Sequence, residues 1–191
     1  VSKSYARVRI PKMYWGEKAE VGKIESDVVQ KYVTELPQMV GEGLGLLLWG
    51  KHGSGKTAAA CSILKELTKT RKLGLFVRFD WLATMYVENT RFDEYQSYVD
   101  RMHEVDLLVI DELIYDKSRI YTLGRVEQVL RYRTSEVKPT ILTTNIPLSS
   151  LKSQATGLYE ACREATYPVK MDGSDFRAER VREMTKRLGV K

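Results

Sequence analysis

Cysteine and histidine are scarce in this chain. Its 191 residues hold 2 cysteines, Cys61 and Cys162, which form no Cys-x-x-Cys pair, and 2 histidines, His52 and His103. A structural zinc site has almost nothing to be built from, and the chain reads as a reduced, cytoplasmic protein. Long apolar runs are missing too. The stretches Leu46–Trp49 and Leu107–Ile110 fall far short of the ~18 residues that a membrane-spanning helix requires. The basic stretch leading to Pro11 also lacks the apolar run of a signal peptide.

What is present fits an ordinary globular chain. It is 43% hydrophobic and 29% charged, long enough to bury roughly 70% of its unfolded surface around one core. Net charge is +6, which raises the prospect of a polyanionic partner without requiring one. The excess gathers at the two ends, in Arg7, Arg9 and Lys12 and again in Arg180, Arg182 and Arg187. Residues 1–24 show no clean periodicity and are expected to form an arm or linker remnant ahead of a domain over 25–191.

Hydrophobic periodicity predicts strands alternating with helices. Helices are expected near 26–36, 57–70, 81–87, 92–103, 122–135 and 153–164, with a basic helix from about 174. Pro37 is expected to stop the first. Apolar runs at Leu46–Trp49, Leu75–Phe79, Val105–Ile110, Thr140–Thr144 and near Val169 predict five strands. That alternation implies right-handed crossovers and an α/β fold with a parallel five-stranded sheet between helices.

Between the first strand and the next helix lies Gly50-Lys51-His52-Gly53-Ser54-Gly55-Lys56-Thr57, a full G-x-x-x-x-G-K-[ST] motif in the context that its mechanism needs. Glycines let successive amides curl toward one anion, and the helix N-terminus adds its positive end. Gly50, Gly53, Ser54 and Gly55 are therefore candidates for the cradle, Lys56 for the β- and γ-phosphates, and Thr57 for Mg²⁺. Lys51 and His52 occupy the variable positions and are expected to face solvent.

The third strand is apolar up to its carboxyl end, where Asp111 and Glu112 stand side by side. Asp111 is the candidate metal holder and Glu112 the candidate general base for water. Asn145 ends the fourth strand, where it can hold the attacking water or the γ-phosphate, or else serve as a turn residue before Pro147.

These residues resemble the AAA+ ATPases of the DnaC, DnaI and IstB group, which is close to the initiator DnaA. The likeness runs from about Ile10 to Arg177. It rests on Ile10-Pro11-Lys12, the phosphate loop, the strand ending in Asp111-Glu112, and Tyr132-Arg133 ahead of Pro139-Thr140-Ile141-Leu142-Thr143-Thr144-Asn145. The resemblance implies a P-loop NTPase of AAA+ type that binds ATP and Mg²⁺ and self-associates, with ATP sites between subunits. It further implies Arg163 as an arginine finger for the neighbouring subunit and Arg177 as a second phosphate sensor, although a lone Arg on an amphipathic helix is also a common solvated residue. No separate lid domain and no helicase-binding N-terminal domain are expected in the stretch given. Asp111-Glu112 also departs from the two aspartates often found in the group.

The function that the resemblance implies is ATP-driven assembly on single-stranded DNA to load a replicative helicase. Tyr86, Arg91, Phe92, Tyr95, Tyr98 and Arg101, in the helical insertion, are candidate DNA contacts, or for the aromatics simply packing. Two alternatives stay open: an IstB-like transposition ATPase acting on duplex DNA, and a P-loop kinase. The kinase fits less well, because Glu112 and Asn145 position water.

Overall fold

The computed structural model describes residues 2–16, 19–87, 92–173, 181 and 184–188. Helix α1 (Ser2–Arg7) opens the chain. Helix α2 (Asp27–Thr34) follows, capped by the Ser26 hydroxyl, which accepts from the Val29 amide. Pro37 does not end the helical region as expected. It sits in the first turn of a further short helix, α3 (Leu36–Gly41), where its missing amide N–H costs nothing.

Strand β1 (Gly45–Trp49) leads through the glycine loop into α4 (Lys56–Leu67), and β2 (Gly74–Arg78) follows. The insertion is α5 (Phe79–Val87) and α6 (Phe92–Glu104). Strand β3 (Leu107–Leu113), α7 (Ile120–Ser135) and β4 (Thr140–Thr144) come next. The single helix expected near 153–164 is two, α8 (Leu148–Gln154) and α9 (Thr156–Ala165), ahead of β5 (Thr166–Lys170).

The five strands form one parallel sheet in the order β2-β3-β4-β1-β5. Alternate residues of each strand feed opposite faces. Leu46, Leu48, Phe76, Val109 and Ile141 join α4, Val29 and Tyr32 on one side. Leu47, Leu75, Val77, Leu108, Ile110 and Leu142 join α5, α6, α7 and α9 on the other. A three-layer α/β/α core results, with the carboxyl ends of the parallel strands along one edge, where ligands of such sheets bind.

The first 24 residues, anticipated as an arm, give Tyr5, Val8, Ile10, Ala19 and Ile24 to the first of these clusters. The segment after α1 lies along the free side of β2, where the Phe76 amide donates to the Val8 carbonyl at 2.8 Å. That contact covers a strand edge that would otherwise offer unpaired backbone groups.

Arg133, part of the sequence signature, is wholly buried. It donates to the carbonyls of Met102 (2.7 Å), Val105 (2.8 Å) and Pro139 (2.7 Å) and to the Thr140 hydroxyl (3.0 Å). One guanidinium thereby joins the end of α6, the entry to β3 and the entry to β4. Burial pushes its pKa down to about 10, so it stays charged at neutral pH.

Candidate functional site

The phosphate loop begins where β1 leaves the sheet. Gly50 has φ 147°, and a Cβ there would stand 2.3 Å from the Met171 carbonyl oxygen. Neither the backbone angle nor the space admits a side chain, so the end of β5 fixes the first glycine. Gly53 (φ 81°) and Gly55 (φ 86°) are also left-handed, and Gly55 launches α4. Ser54 is buried within the loop, whereas Lys51 and His52 face solvent as expected.

Lys56 lies folded under the loop. Its ammonium donates to the carbonyls of Gly50 (2.9 Å) and Lys51 (2.6 Å) and to the Ser54 hydroxyl (3.3 Å). The backbone carbonyls thus hold the cation at the floor of the cradle.

Beside it, the Thr57 hydroxyl donates to Asp111 Oδ1 at 2.9 Å. This joins the first helical turn of α4 to the tip of β3 and brings together the two residues singled out for metal binding. Burial, helped by the neighbouring Glu112 charge, raises the Asp111 carboxyl above its ordinary value, against the lowering pull of the Thr143 and Thr57 hydroxyls and of Arg78. Among the described residues no salt bridge reaches it. A buried carboxylate with a hydroxyl alongside is a donor set suited to a hard divalent cation, whose charge would offset the cost of burying the ionised form.

The acidic pair is split by a bulge. Ile110 stands opposite Leu142 and Leu113 opposite Thr144, so Asp111 and Glu112 together face Thr143. Glu112 takes φ 62°, a left-handed conformation that costs a non-glycine residue roughly 1 kcal/mol or more. Thr143 holds both residues. Its hydroxyl donates to Asp111 Oδ1 at 2.6 Å and accepts from the Glu112 amide at 2.8 Å. The result separates the carboxylates, with Asp111 buried and Glu112 exposed at the rim. A bulge that redirects a side chain beside a ligand site is a recurrent device.

Asn145 follows Thr144, which pairs in register with Trp49, so Asn145 comes off the same edge beside Gly50. Thr144 fixes that tip by donating to the Leu113 carbonyl (2.7 Å) and accepting from the Ile146 amide (3.0 Å). Nine expected residues therefore converge here: Gly50, Gly53, Ser54, Gly55, Lys56, Thr57, Asp111, Glu112 and Asn145.

Arg163 does not join them. It lies near the end of α9, just before Thr166, which pairs with Gly45 at the opposite edge of the sheet. A five-residue strand at roughly 3.3 Å per residue separates that edge from the loop. Arg163 is exposed, 3.4 Å from Glu160 and 5.9 Å from the Tyr159 ring centroid. Arg177 and Arg91 lie outside the described residues.

Thr143 as the shared partner of both acids, and Arg133 as the internal anchor, were not foreseen. A threonine facing an acidic strand tip is the signal for the first. It becomes readable only once the parallel register is known.

No family model matches the chain. Two Bacillus subtilis proteins are similar to it. One is the uncharacterized protein YqaM, 22% identical over 152 residues, with 74% of this chain and 48% of that protein covered. The other is the replicative helicase loader DnaI, 22% identical over 151 residues, with 72% and 49% covered. The chain thus spans about half the length of the curated relatives that it matches. Among solved structures, DnaI superposes with a TM-score of 0.70 at 23% identity, covering 86% of this chain and 93% of that one. The initiator DnaA bound to AMPPCP and single-stranded DNA gives 0.71 at 16%, covering 92% and 57%. The DnaC helicase loader gives 0.64 at 20%, covering 85% and 100%. The chain therefore has the fold of the DnaI, DnaC and DnaA structures, with its phosphate-loop motif and acidic strand tip at the carboxyl edge of the sheet.

Proposed function

We propose that the chain is an ATP-hydrolysing AAA+ protein that assembles on single-stranded DNA and loads a replicative helicase. The observation that carries the hydrolytic part is the division of labour at the bulge, with one carboxylate buried against Thr57 and the other exposed at the rim. In this reading the loop amides from Gly50 to Thr57 bind the phosphates of ATP, and Lys56 exchanges its carbonyl partners for phosphate oxygens. Thr57 and Asp111 would hold Mg²⁺, which supplies positive charge to the β- and γ-phosphates when bound. Glu112 takes a proton from the attacking water, and Asn145 orients that water. Arg177 is assigned to the same nucleotide by the sequence resemblance alone.

Arg163, at the far edge of the sheet, serves the ATP of a neighbouring subunit, which makes the active form a homo-oligomer. The loading of a helicase and the use of single-stranded DNA draw support from the loaders DnaI and DnaC and from DnaA, which is described as bound to single-stranded DNA. No helix among the described residues is long and apolar enough to cross a membrane, in keeping with a cytoplasmic site of action.

The test is ATP turnover by the parent and by Glu112→Gln, each alone, with oligothymidylate and with duplex. Turnover that depends on Glu112 and rises with single strands is expected. Stimulation by duplex alone moves the protein to the IstB-like role, and phosphate transfer to an acceptor other than water moves it to a kinase.

A further inference from the structure

The β2 edge of the sheet gathers basic side chains that are far apart in sequence. Arg7 comes from the end of α1, Arg71 and Lys72 from the turn before β2, and Arg101 from α6. They line one groove of about 940 Å³ together with Asp100 and Glu104. Arg101 donates to the Arg7 carbonyl at 3.1 Å, which ties the insertion to the N-terminal segment. Lys72 is 3.5 Å from Asp106. Among the described residues no carboxylate pairs with Arg7 or Arg71, and both are exposed. The cations outnumber the two lining acids, so the groove favours a polyanion.

Further along the same edge is a second hollow of about 320 Å³, lined by Arg9, Trp81 and Tyr98 and by Arg78, which is ion-paired with Asp80 in the same lining. Arg9 closes α1 in a left-handed turn (φ 62°), fixed by its amide on the Ala6 carbonyl at 3.0 Å. Its guanidinium lies 4.7 Å from the Tyr98 ring centroid and 5.5 Å from that of Trp81. Tyr98 is buried, whereas Trp81 keeps 38% of its surface exposed. Trp81 packs edge-to-face on Tyr98, with ring centroids 4.4 Å apart, and its exposed remainder is the aromatic surface on offer beside the Arg9 cation.

We infer that this edge is a track for single-stranded nucleic acid, with phosphates on Arg7, Arg71, Lys72 and Arg101 and a base stacked at Trp81. The inference rests on the single-stranded DNA reading above and gives it a location. Two features point to a single strand rather than a duplex or an acidic protein segment. A basic groove suits a phosphate backbone, and a partly exposed aromatic ring lies further along the same edge, beside the second hollow. A duplex offers no unstacked base to Trp81. An acidic peptide has no use for the ring.

The test is fluorescence anisotropy of fluorescein-labelled oligothymidylate on the full chain across a salt series, with polyglutamate as the rival ligand. Arg7→Gln/Arg71→Gln is expected to weaken binding about tenfold at low salt. It should also lower the log–log salt slope by about 1.4, at roughly 0.7 for each lost phosphate contact. Affinity for ATP should not move. An oligonucleotide carrying 5-bromodeoxyuridine should photocross-link at Trp81, with Trp81→Phe retaining binding and Trp81→Ala losing it. Binding by the parent with an unchanged slope in the double variant, or a cross-link mapped elsewhere, overturns the track and leaves the single-strand reading standing. Failure of the parent to bind oligothymidylate with or without ATP overturns both. Charge-dependent capture of polyglutamate without DNA binding gives the groove to an acidic protein instead.

Discussion

Thr143 Oγ1 donates to Asp111 Oδ1 at 2.6 Å, and the same oxygen accepts the amide of Glu112, the next residue, at 2.8 Å. One hydroxyl on β4 therefore determines where both acids at the tip of β3 stand. Thr143→Val removes the donor and leaves the Glu112 amide without its acceptor, which costs about 1–3 kcal/mol. Hydrolysis should fall at least tenfold while ATP affinity changes little, and Thr143→Ser should restore both. Urea denaturation and steady-state turnover measure the two effects. Equal turnover in Thr143→Val would show that the bulge holds its shape without the hydroxyl.

The raised pKa of Asp111 has a consequence for stability. Its folded-state value lies above the unfolded one, so the stability that it contributes is fully present below the unfolded value and is lost as pH rises through the folded one. At neutral pH, without nucleotide or metal, the ionised side chain is therefore a burden. Asp111→Asn should raise the melting temperature near pH 7 by a few degrees, at roughly 2–4 °C per kcal/mol for a chain of this size. The advantage should vanish near pH 4 and below. Mg²⁺-dependent ATP affinity should fall in the same variant. A melting temperature unchanged at both pH values would sink the argument.

On the proposed reading, Lys56 and Glu112 separate binding from chemistry. Lys56→Ala removes the ammonium held by the loop carbonyls and assigned to the phosphates, so nucleotide binding should fall below detection in a fluorescent-ATP titration. Glu112→Gln keeps the shape of an exposed side chain and should bind ATP as the parent does, with turnover reduced at least a hundredfold. Loss of binding in Glu112→Gln, with the fold intact, would make Glu112 a metal ligand instead.

Much of this was legible in the sequence because strand and loop signals are local. The glycine spacing, the apolar run before Asp111-Glu112 and the polar tip at Asn145 each declare themselves within eight residues. Thr143 and Arg133 could not be read that way. Their partners lie on other elements, at Asp111 and at Met102, Val105 and Pro139, and only the strand register brings them together. The first 24 residues were hard to read for a related reason. Tyr5, Val8 and Ile10 are buried without helical or strand periodicity, because the chain there turns at Arg9 while following an edge. Pro37 was misread because proline ends one helix and begins the next equally well.

Arg133 makes a stability prediction that is independent of nucleotide. Its charge is buried among carbonyls at a helix end, where a cation is welcome, so removal takes a buried donor from the oxygens of Met102 and Val105 and leaves that of Pro139 only the Leu108 amide at 3.3 Å. Arg133→Met should cost about 3 kcal/mol or more, and Arg133→Lys should recover only part of that, since an ammonium cannot span the same acceptors. The urea midpoint should fall from the parent to Arg133→Lys and further to Arg133→Met. A Met variant as stable as the parent would mean that the carbonyls find water instead.

Arg163 is the residue whose role depends most on a second subunit. At the sheet edge opposite Lys56 it has no route to the phosphates of its own chain. Arg163→Ala should bind ATP nearly as well as the parent yet lose hydrolysis and ATP-dependent self-association, read by light scattering. Mixing tests the assignment directly. On the proposed reading, Lys56→Ala subunits should fail to hold ATP yet carry an intact Arg163, whereas Arg163→Ala subunits should hold ATP yet lack the finger. Each should be inactive alone, and a mixture should regain activity at the sites where a Lys56→Ala subunit presents Arg163 to ATP bound by its neighbour. The recovered rate should rise with the fraction of Lys56→Ala subunits and then fall as ATP-holding sites run out. A mixture that co-assembles yet stays silent at every ratio would remove Arg163 from the reaction.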